Sequence, residues 1–192
     1  MEPATTSPQK EKGENSFTEL LKFALIALLI VVPIRLFVAQ PFIVSGASME
    51  PTFDSGQYLI VDQISYRFVA PRRGEVIIFR FPEDPSKFYI KRIIGLPGET
   101  VTIEGKTVTI IDERNPGGLV LTELYLDVAN LRDDFLTTIL GEGEYFVLGD
   151  NRRASSDSRI WGSLKEELIV GKALIRLFPL NTIDILPGDS SY

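Results

Sequence analysis

The sequence VIIFRFPEDPSKFYIKRII, residues 76–94, decides the fold class of this chain. It contains two runs rich in β-branched and aromatic residues, Val76–Phe81 and Phe88–Ile94, with a polar, proline-containing segment between them. Side chains of the first kind favour strands, whereas proline and aspartate favour turns. The sequence therefore predicts two β-strands joined by a turn.

Similar runs occur on both sides of this pair, separated by segments rich in Gly, Pro, Asp and Asn. Repeated short strands with turn signals are typical of an antiparallel barrel or sandwich, so we predict a mostly β domain. The segment Leu119–Leu140 fits either a short helix or an excursion from the sheet. The further predicted strands are Tyr58–Val61, Val101–Ile103, Thr107–Ile111, Tyr145–Leu148 and Lys172–Phe178.

The amino-terminal part of the chain has a different composition. Residues 1–16 are polar and predict a disordered tail, whereas residues 17–39 are dominated by apolar side chains. The apolar segment predicts a single transmembrane helix in a phospholipid membrane, provided that Lys22 and Arg35 reach opposite membrane surfaces. A buried helix of a soluble protein is the alternative. Lysines before the segment favour a cytoplasmic tail and an exported domain at 40–192.

The composition excludes several kinds of site. The chain of 192 residues has neither histidine nor cysteine, which rules out a Ser-His-Asp triad, thiolate catalysis and disulfides. Zinc is also unexpected without these ligands, and we predict no metal and no cofactor. The net charge of −6 argues against nucleic acid as a partner.

One serine lies in a distinctive position. Residues 44–52, VSGASMEPT, place Ser48 in a turn between Pro41 and Pro51, directly after the apolar segment. If this serine acts as a nucleophile in a chain without histidine, the realistic base is a lysine.

Lys91 is the candidate base. A strand lysine usually points to water, but the period of two places Tyr89 and Ile93 on the same face as Lys91. Burial among these side chains would lower the pKa of the amine, and only the neutral amine can accept a proton. Arg92 would point to the opposite face and need a carboxylate. The polar stretch 149–159, GDNRRASSDSR, offers two carboxylates and several hydroxyls.

These stretches together resemble the motifs of the type I signal peptidases, membrane-bound Ser-Lys endopeptidases that remove signal peptides from exported proteins. The resemblance extends over residues 35–111 and 144–180. It rests on RLFVAQPF at 35–42, SMEPT at 48–52, GEVIIFRFPEDPSKFYIKRIIGLPGE at 74–99 and GDNRRASSDSR at 149–159.

The resemblance implies a role for each candidate residue. Ser48 would be the nucleophile and its backbone N–H half of the oxyanion hole, while Lys91 would be the general base that later protonates the leaving amine. Ser155 would position the Lys91 amine. Two supporting ion pairs are implied, Asp150 with Arg92 and Asp157 with Arg159.

The resemblance also implies the substrate, the signal peptides of exported preproteins, cut after an A-x-A-like site. A cleft beside Ser48 would bind small side chains at positions −1 and −3. The implied fold is the antiparallel β domain of the signal peptidases, with residues 112–143 as a variable excursion. The expected lining residues are Phe42, Val44, Met49, Phe53, Leu59, Ile78 and Ile90.

The chain departs from the family pattern next to the nucleophile. Many bacterial members have a serine hydroxyl that completes the oxyanion hole two residues before the nucleophile, where this chain has Gly46. The hole would then consist of backbone groups, unless Ser45 compensates.

Two other functions fit parts of the sequence. A self-cleaving Ser-Lys protease similar to the SOS-response repressors would share the chemistry, but the predicted anchor and the lack of a DNA-binding segment argue against it. An inactive, membrane-tethered β domain that only binds exported chains would keep the cleft. The presence of every proposed catalytic position argues against that alternative.

Overall fold

The computed structural model describes residues 16–33 and 39–190. Two units are present, an amino-terminal helix and a β-rich domain that contains the remaining described residues. Helix α1 spans Ser16–Pro33. Within the described ranges, no helix has both the length and the apolar character that crossing a membrane requires. The predicted tail lies outside the described residues, apart from Ser16, which begins α1.

The predicted mostly β, antiparallel domain is confirmed, and each predicted run lies within a strand. The segment 119–140, for which the sequence left a short helix or an excursion open, contains two strands and between them a short 3-10 helix, Val128–Asn130. A short helix α2 spans Ser158–Trp161. The strands are β1 (Ala39–Ile43), β2 (Tyr58–Asp62), β3 (Val76–Phe81), β4 (Asp84–Gly95), β5 (Thr100–Gly105), β6 (Thr107–Ile111), β7 (Leu119–Val120), β8 (Asp134–Ile139), β9 (Glu144–Leu148), β10 (Leu164–Lys165), β11 (Ile169–Phe178) and β12 (Asp184–Ile185).

The strands form two antiparallel sheets. The larger sheet has eight strands in the order β1-β2-β11-β3-β4-β9-β10, with β12 paired to β11, and the smaller sheet has the order β7-β6-β5-β8. The predicted helix boundary at residue 39 is wrong, because Ala39 pairs with Asp62 in the β1–β2 ladder. The predicted excursion is also more regular than expected, since β8 pairs along β5 and completes the second sheet.

The core explains why β3 lacks alternating polarity. Ile78 packs into a cluster below the serine loop, whereas Ile77 and Phe79 pack into a cluster on the opposite face. Both faces of a central strand then need apolar side chains, and all four residues from Val76 to Phe79 are buried.

Strand order brings distant parts of the sequence to one place. Lys91 on β4 is paired with Ile77 of β3, and the next residue, Arg92, is paired with Leu148 of β9. The polar stretch 149–159 begins where β9 ends. It therefore starts beside Lys91 and Arg92. This placement can supply the carboxylate that the sequence analysis expected Arg92 to need.

Candidate active site

Ser48 lies in a loop that connects β1 to β2 and is closed by its own backbone. The N–H of Val44 donates to the Gln57 carbonyl, and the N–H of Gly56 donates to the Val44 carbonyl, each at 2.9 Å. Two apolar side chains of the loop, Met49 and Phe53, are fully buried beneath it. The loop is thus fixed to the sheet at its base while Ser48 remains accessible from one side.

The serine contacts the lysine that the sequence singles out. The distance from Lys91 Nζ to Ser48 Oγ is 2.8 Å, and Nζ also donates to the carbonyl of Ile90 at 2.8 Å. Lys91 is only 3% exposed, so its amine is almost entirely removed from bulk water. A strand lysine pointing into the protein in this way is the arrangement expected of a base.

Burial changes the protonation of the amine. Loss of hydration lowers the pKa of Lys91 to about 8, while the carboxylates of Asp157 and Asp150 act in the opposite direction and Arg159 adds to the decrease. A substantial fraction of the lysine is therefore neutral near pH 8, and a neutral amine can take the hydroxyl proton of Ser48.

We expect Lys91→Met to stabilise the folded protein at pH 7. The decrease in the pKa of Lys91 from 10.5 to about 8 means that the charged amine lowers the free energy of unfolding by about 3 kcal/mol below pH 8. Methionine removes this cost but also loses the hydrogen bonds of the amine, so the net gain in the free energy of unfolding is about 1–3 kcal/mol. From pH 8 to above 10 the folded lysine is neutral while the unfolded one still binds a proton, so the gain shrinks. Denaturant unfolding at pH 7 and pH 10 measures both effects, and an equal or lower stability of the variant at pH 7 would contradict them.

Arg92 points to the opposite face of β4 and meets the carboxylate of Asp150. Its Nε and Nη2 atoms lie 2.9 and 2.6 Å from the two Asp150 oxygens, and both side chains are inaccessible to solvent. Nη1 donates to the Gly74 carbonyl at 2.8 Å. Asp150 also accepts a bond from Thr52 Oγ1 at 2.5 Å, which connects this ion pair to the serine loop.

The second expected ion pair is also formed. Arg159 Nε and Nη2 each lie 2.8 Å from an oxygen of Asp157. Asp157 is buried and accepts a further bond from the N–H of Gly149 at 3.1 Å. The carboxylate therefore holds both ends of the polar stretch together on the side of Lys91.

Ser155 lies in the same region without the predicted bond to Lys91. Its hydroxyl is buried and has no hydrogen-bond partner among the described residues. A Cβ placed on Gly149 would lie 2.2 Å from Ser155 Oγ and 2.4 Å from the Ser48 carbonyl, so the polar stretch and the serine loop approach closely at this point. Two donors of the Lys91 amine bind Ser48 and Ile90 instead, and the base-positioning role of Ser155 stays a prediction.

The conformation of Gly46 accounts for the departure from the family pattern. Its φ is +90°, a region that glycine adopts without strain and that a serine would not. The Gly46 N–H donates to Ser55 Oγ at 3.3 Å and is therefore already engaged, which leaves the Ser48 N–H as the candidate oxyanion donor. Ser45 lines the cleft, which a hydroxyl that replaces the missing serine of the oxyanion hole would need to do.

A cleft of about 450 Å³ opens beside Ser48 and Lys91. Five of the seven predicted lining residues border it, but Met49 and Phe53 do not, and their side chains are fully buried in the core beneath the loop. The resemblance implies an apolar lining near Ser48 but does not show which of these side chains face the cleft and which face the core. The lining residues are Phe42, Ile43, Val44, Ser45, Ser48, Leu59, Ile78, Lys87, Phe88, Tyr89, Ile90, Lys91 and Ser156.

Several partners of the arginines were not predicted. Glu123 pairs with Arg152 at 2.5 Å, Asp134 pairs with Arg159 at 2.6 Å, and the guanidinium of Arg92 lies 3.7 Å from the ring centre of Tyr125. All three partners come from the segment expected to be a variable excursion. An unexplained excess of arginines in the polar stretch is the only sequence signal that could have indicated them.

Comparisons with known proteins identify the family that the sequence motifs resemble. The family described as signal peptidase, peptidase S26, matches residues 17–178. A probable signal peptidase I-2 from Synechocystis is 36% identical over 96% of this chain and 84% of its own length. The signal peptidase I of Leptolyngbya laminosa is 35% identical over 99% of this chain and 94% of its own, and signal peptidase I T of Bacillus subtilis is 34% identical over 92% and 93%.

A solved structure is also similar. The crystal structure of a signal peptidase I from Enterococcus faecalis shares 34% identity, with a TM-score of 0.46, and covers 54% of this chain and 97% of that one. The family match and the relatives, which extend over almost the whole chain, decide the assignment. The chain belongs to the signal peptidase family, peptidase S26, and is a serine peptidase of the signal peptidase I kind.

Proposed function

We propose that this protein cuts signal peptides from exported preproteins with a Ser48–Lys91 dyad. The observation that carries the proposal is the 2.8 Å contact between Lys91 Nζ and Ser48 Oγ in a buried setting. A lysine with a lowered pKa beside a serine hydroxyl is the combination that nucleophilic catalysis without histidine requires.

The reaction follows from this contact. The neutral Lys91 amine takes the hydroxyl proton while Ser48 Oγ attacks the scissile carbonyl carbon, and the negative charge on the carbonyl oxygen is stabilised by the Ser48 N–H. When the C–N bond breaks, the lysine gives its proton to the leaving amine. Lys91 then takes a proton from water as the water oxygen attacks the ester carbonyl carbon, and it gives that proton to Ser48 Oγ when the ester C–O bond breaks, which frees the serine and leaves the amine neutral.

The cleft supports binding of an extended peptide. Residues 42–45 and 87–91 line it, and both groups are in strands or follow directly from one. We expect an extended peptide beside these segments to form main-chain hydrogen bonds and to place alternate side chains in the cleft. Apolar walls at this point suit the small side chains of an A-x-A site.

We also propose that the amino-terminal apolar segment anchors the enzyme in the membrane, with residues 40–192 on the exported side. Phe23, Leu25, Leu28 and Leu29 of α1 are all exposed, and an apolar helix surface of this kind is stable only against an apolar environment. In the sequence, Ser48 follows the proposed anchor by only nine positions, and an anchored enzyme would share the membrane with its membrane-inserted signal peptides.

Cleavage-site specificity tests the proposed substrate class. We expect the purified full-length protein, in detergent with phospholipid, to cut a preprotein with an A-x-A site at that site. Replacing the −1 alanine of the preprotein by leucine should lower kcat/KM by about 10²-fold or more, because the larger side chain must displace packed walls of the cleft. The matched control is an Ala→Leu change at −2, which the A-x-A pattern leaves free. Equal cleavage of all three preproteins would contradict the proposal.

A further inference from the structure

The bridging segment, residues 121–133 between β7 and β8, has a locally determined conformation. The side chain of Asp127 accepts a hydrogen bond from the N–H of Ala129 at 2.9 Å, and its carbonyl accepts one from the N–H of Asn130 at 2.9 Å. An aspartate before a helical turn caps it in this way. The capped turn fixes where Asn130 is presented.

Asn130 contacts both loops of the candidate active site. Its side-chain Nδ2 donates to the carbonyl of Glu50 at 3.2 Å, two residues after Ser48. Its own carbonyl accepts a hydrogen bond from the N–H of Arg153 in the polar stretch at 3.2 Å. One residue therefore connects two loops that are about a hundred positions apart in the sequence.

The serine loop and the polar stretch also contact each other directly. The N–H of Asn151 donates to the carbonyl of Ser48 at 3.0 Å. The serine loop and the polar stretch are thus joined directly at Ser48 by this bond and at Thr52 through Asp150. Asn130 adds a link at Glu50, which lies between those two points.

Buried ion pairs attach the bridging segment to the polar stretch on either side of Asn130. Glu123 binds Arg152 with both side chains less than a tenth exposed. Asp134, which follows the segment, binds Arg159. Because breaking a buried pair leaves an uncompensated charge, this attachment resists local opening.

We propose that Asn130 is a positioning residue that holds Ser48 against Lys91 by fixing the Glu50 carbonyl. The proposal rests on the Ser48–Lys91 dyad proposed above. Asn130 does not border the cleft, so it acts on the geometry of the dyad and leaves the binding surface unchanged.

The test removes the amide donor of the Asn130 side chain. Asn130→Ala removes it, and Asn130→Asp keeps its shape but offers an acceptor to the Glu50 carbonyl. We expect kcat, normalised to the folded fraction, to fall about tenfold in both variants, with KM changed by less than about twofold. The midpoint of the rise of kcat with pH should also move upward, because a loosened serine loop admits water to Lys91.

Controls separate this proposal from the proposed function. Among the described residues, the side chain of Asn115 binds only Asp112, in the turn between β6 and β7, so Asn115→Ala should leave kcat within about twofold. Wild-type kcat and pH midpoint in both Asn130 variants would overturn the positioning role, even if their thermal stability is lower. Cleavage that survives Ser48→Ala in the same assay would instead overturn the dyad itself.

Discussion

Ser48→Ala and Lys91→Ala are each expected to lower kcat for signal-peptide cleavage by about 10³-fold or more, as removal of one member of a nucleophile–base unit does elsewhere. Ser48 supplies the attacking oxygen, and Lys91 is the only basic side chain within hydrogen-bond distance of it among the described residues. Without the amine, the hydroxyl has no acceptor for its proton. Cleavage of an A-x-A preprotein by matched amounts of each variant measures the effect.

The two variants should also behave as a unit. The double variant is expected to be no slower than either single variant, because a base has no function without its nucleophile. Lys87→Ala is the matched control, since Lys87 borders the same cleft but is largely exposed and paired with Asp84. Retained cleavage in Ser48→Ala or Lys91→Ala, or an equal loss in Lys87→Ala, would contradict the assignment.

Asp150→Ala is expected to have the largest effect on stability, a loss of about 3–5 kcal/mol. In the structure, the side chains of Arg92 and Asp150 are at most 1% exposed. The substitution therefore leaves the guanidinium charge of Arg92 buried without its carboxylate partner. It also removes the acceptor for Thr52 Oγ1 and so loosens the serine loop. For a chain of 192 residues, the midpoint of thermal unfolding should fall by about 10 °C.

A surface pair provides the comparison. Asp184 lies 3.5 Å from Arg176 but is about half exposed, so Asp184→Ala should cost less than about 1 kcal/mol. Both variants would be followed by circular dichroism and by denaturant titration under the same conditions. Similar losses in Asp150→Ala and Asp184→Ala would show that the buried pair contributes no more than a solvated one.

Much of the β domain could be predicted from local sequence. The strands β3 and β4 follow from β-branched and aromatic runs, and Lys91 stands out because the chain offers no histidine. These inferences depend on the identity of neighbouring residues, which the sequence displays directly. The pairing of Arg92 with Asp150 needed the resemblance to a family, since other carboxylates were equally available.

The parts that could not be predicted depend on tertiary contacts. Asn130 shares no pattern with Glu50, and the two residues meet only because β8 pairs with β5 and brings the bridging segment back over the serine loop. The resemblance placed Met49 and Phe53 in the cleft, but apolar side chains near a nucleophile fit a core as well as a cleft. The loop closure that turns them inward is a backbone property absent from the hydrophobic pattern.

The dependence of cleavage rate on pH tests the central claim most directly. Single-turnover cleavage of an A-x-A preprotein by the full-length protein should rise with pH to a plateau, with a midpoint near the Lys91 pKa of about 8. The rise occurs because deprotonation produces the neutral amine that activates Ser48. A rate independent of pH between about 6 and 10, or a midpoint near the ordinary lysine value of 10.5, would show that a buried, neutral Lys91 is not the base.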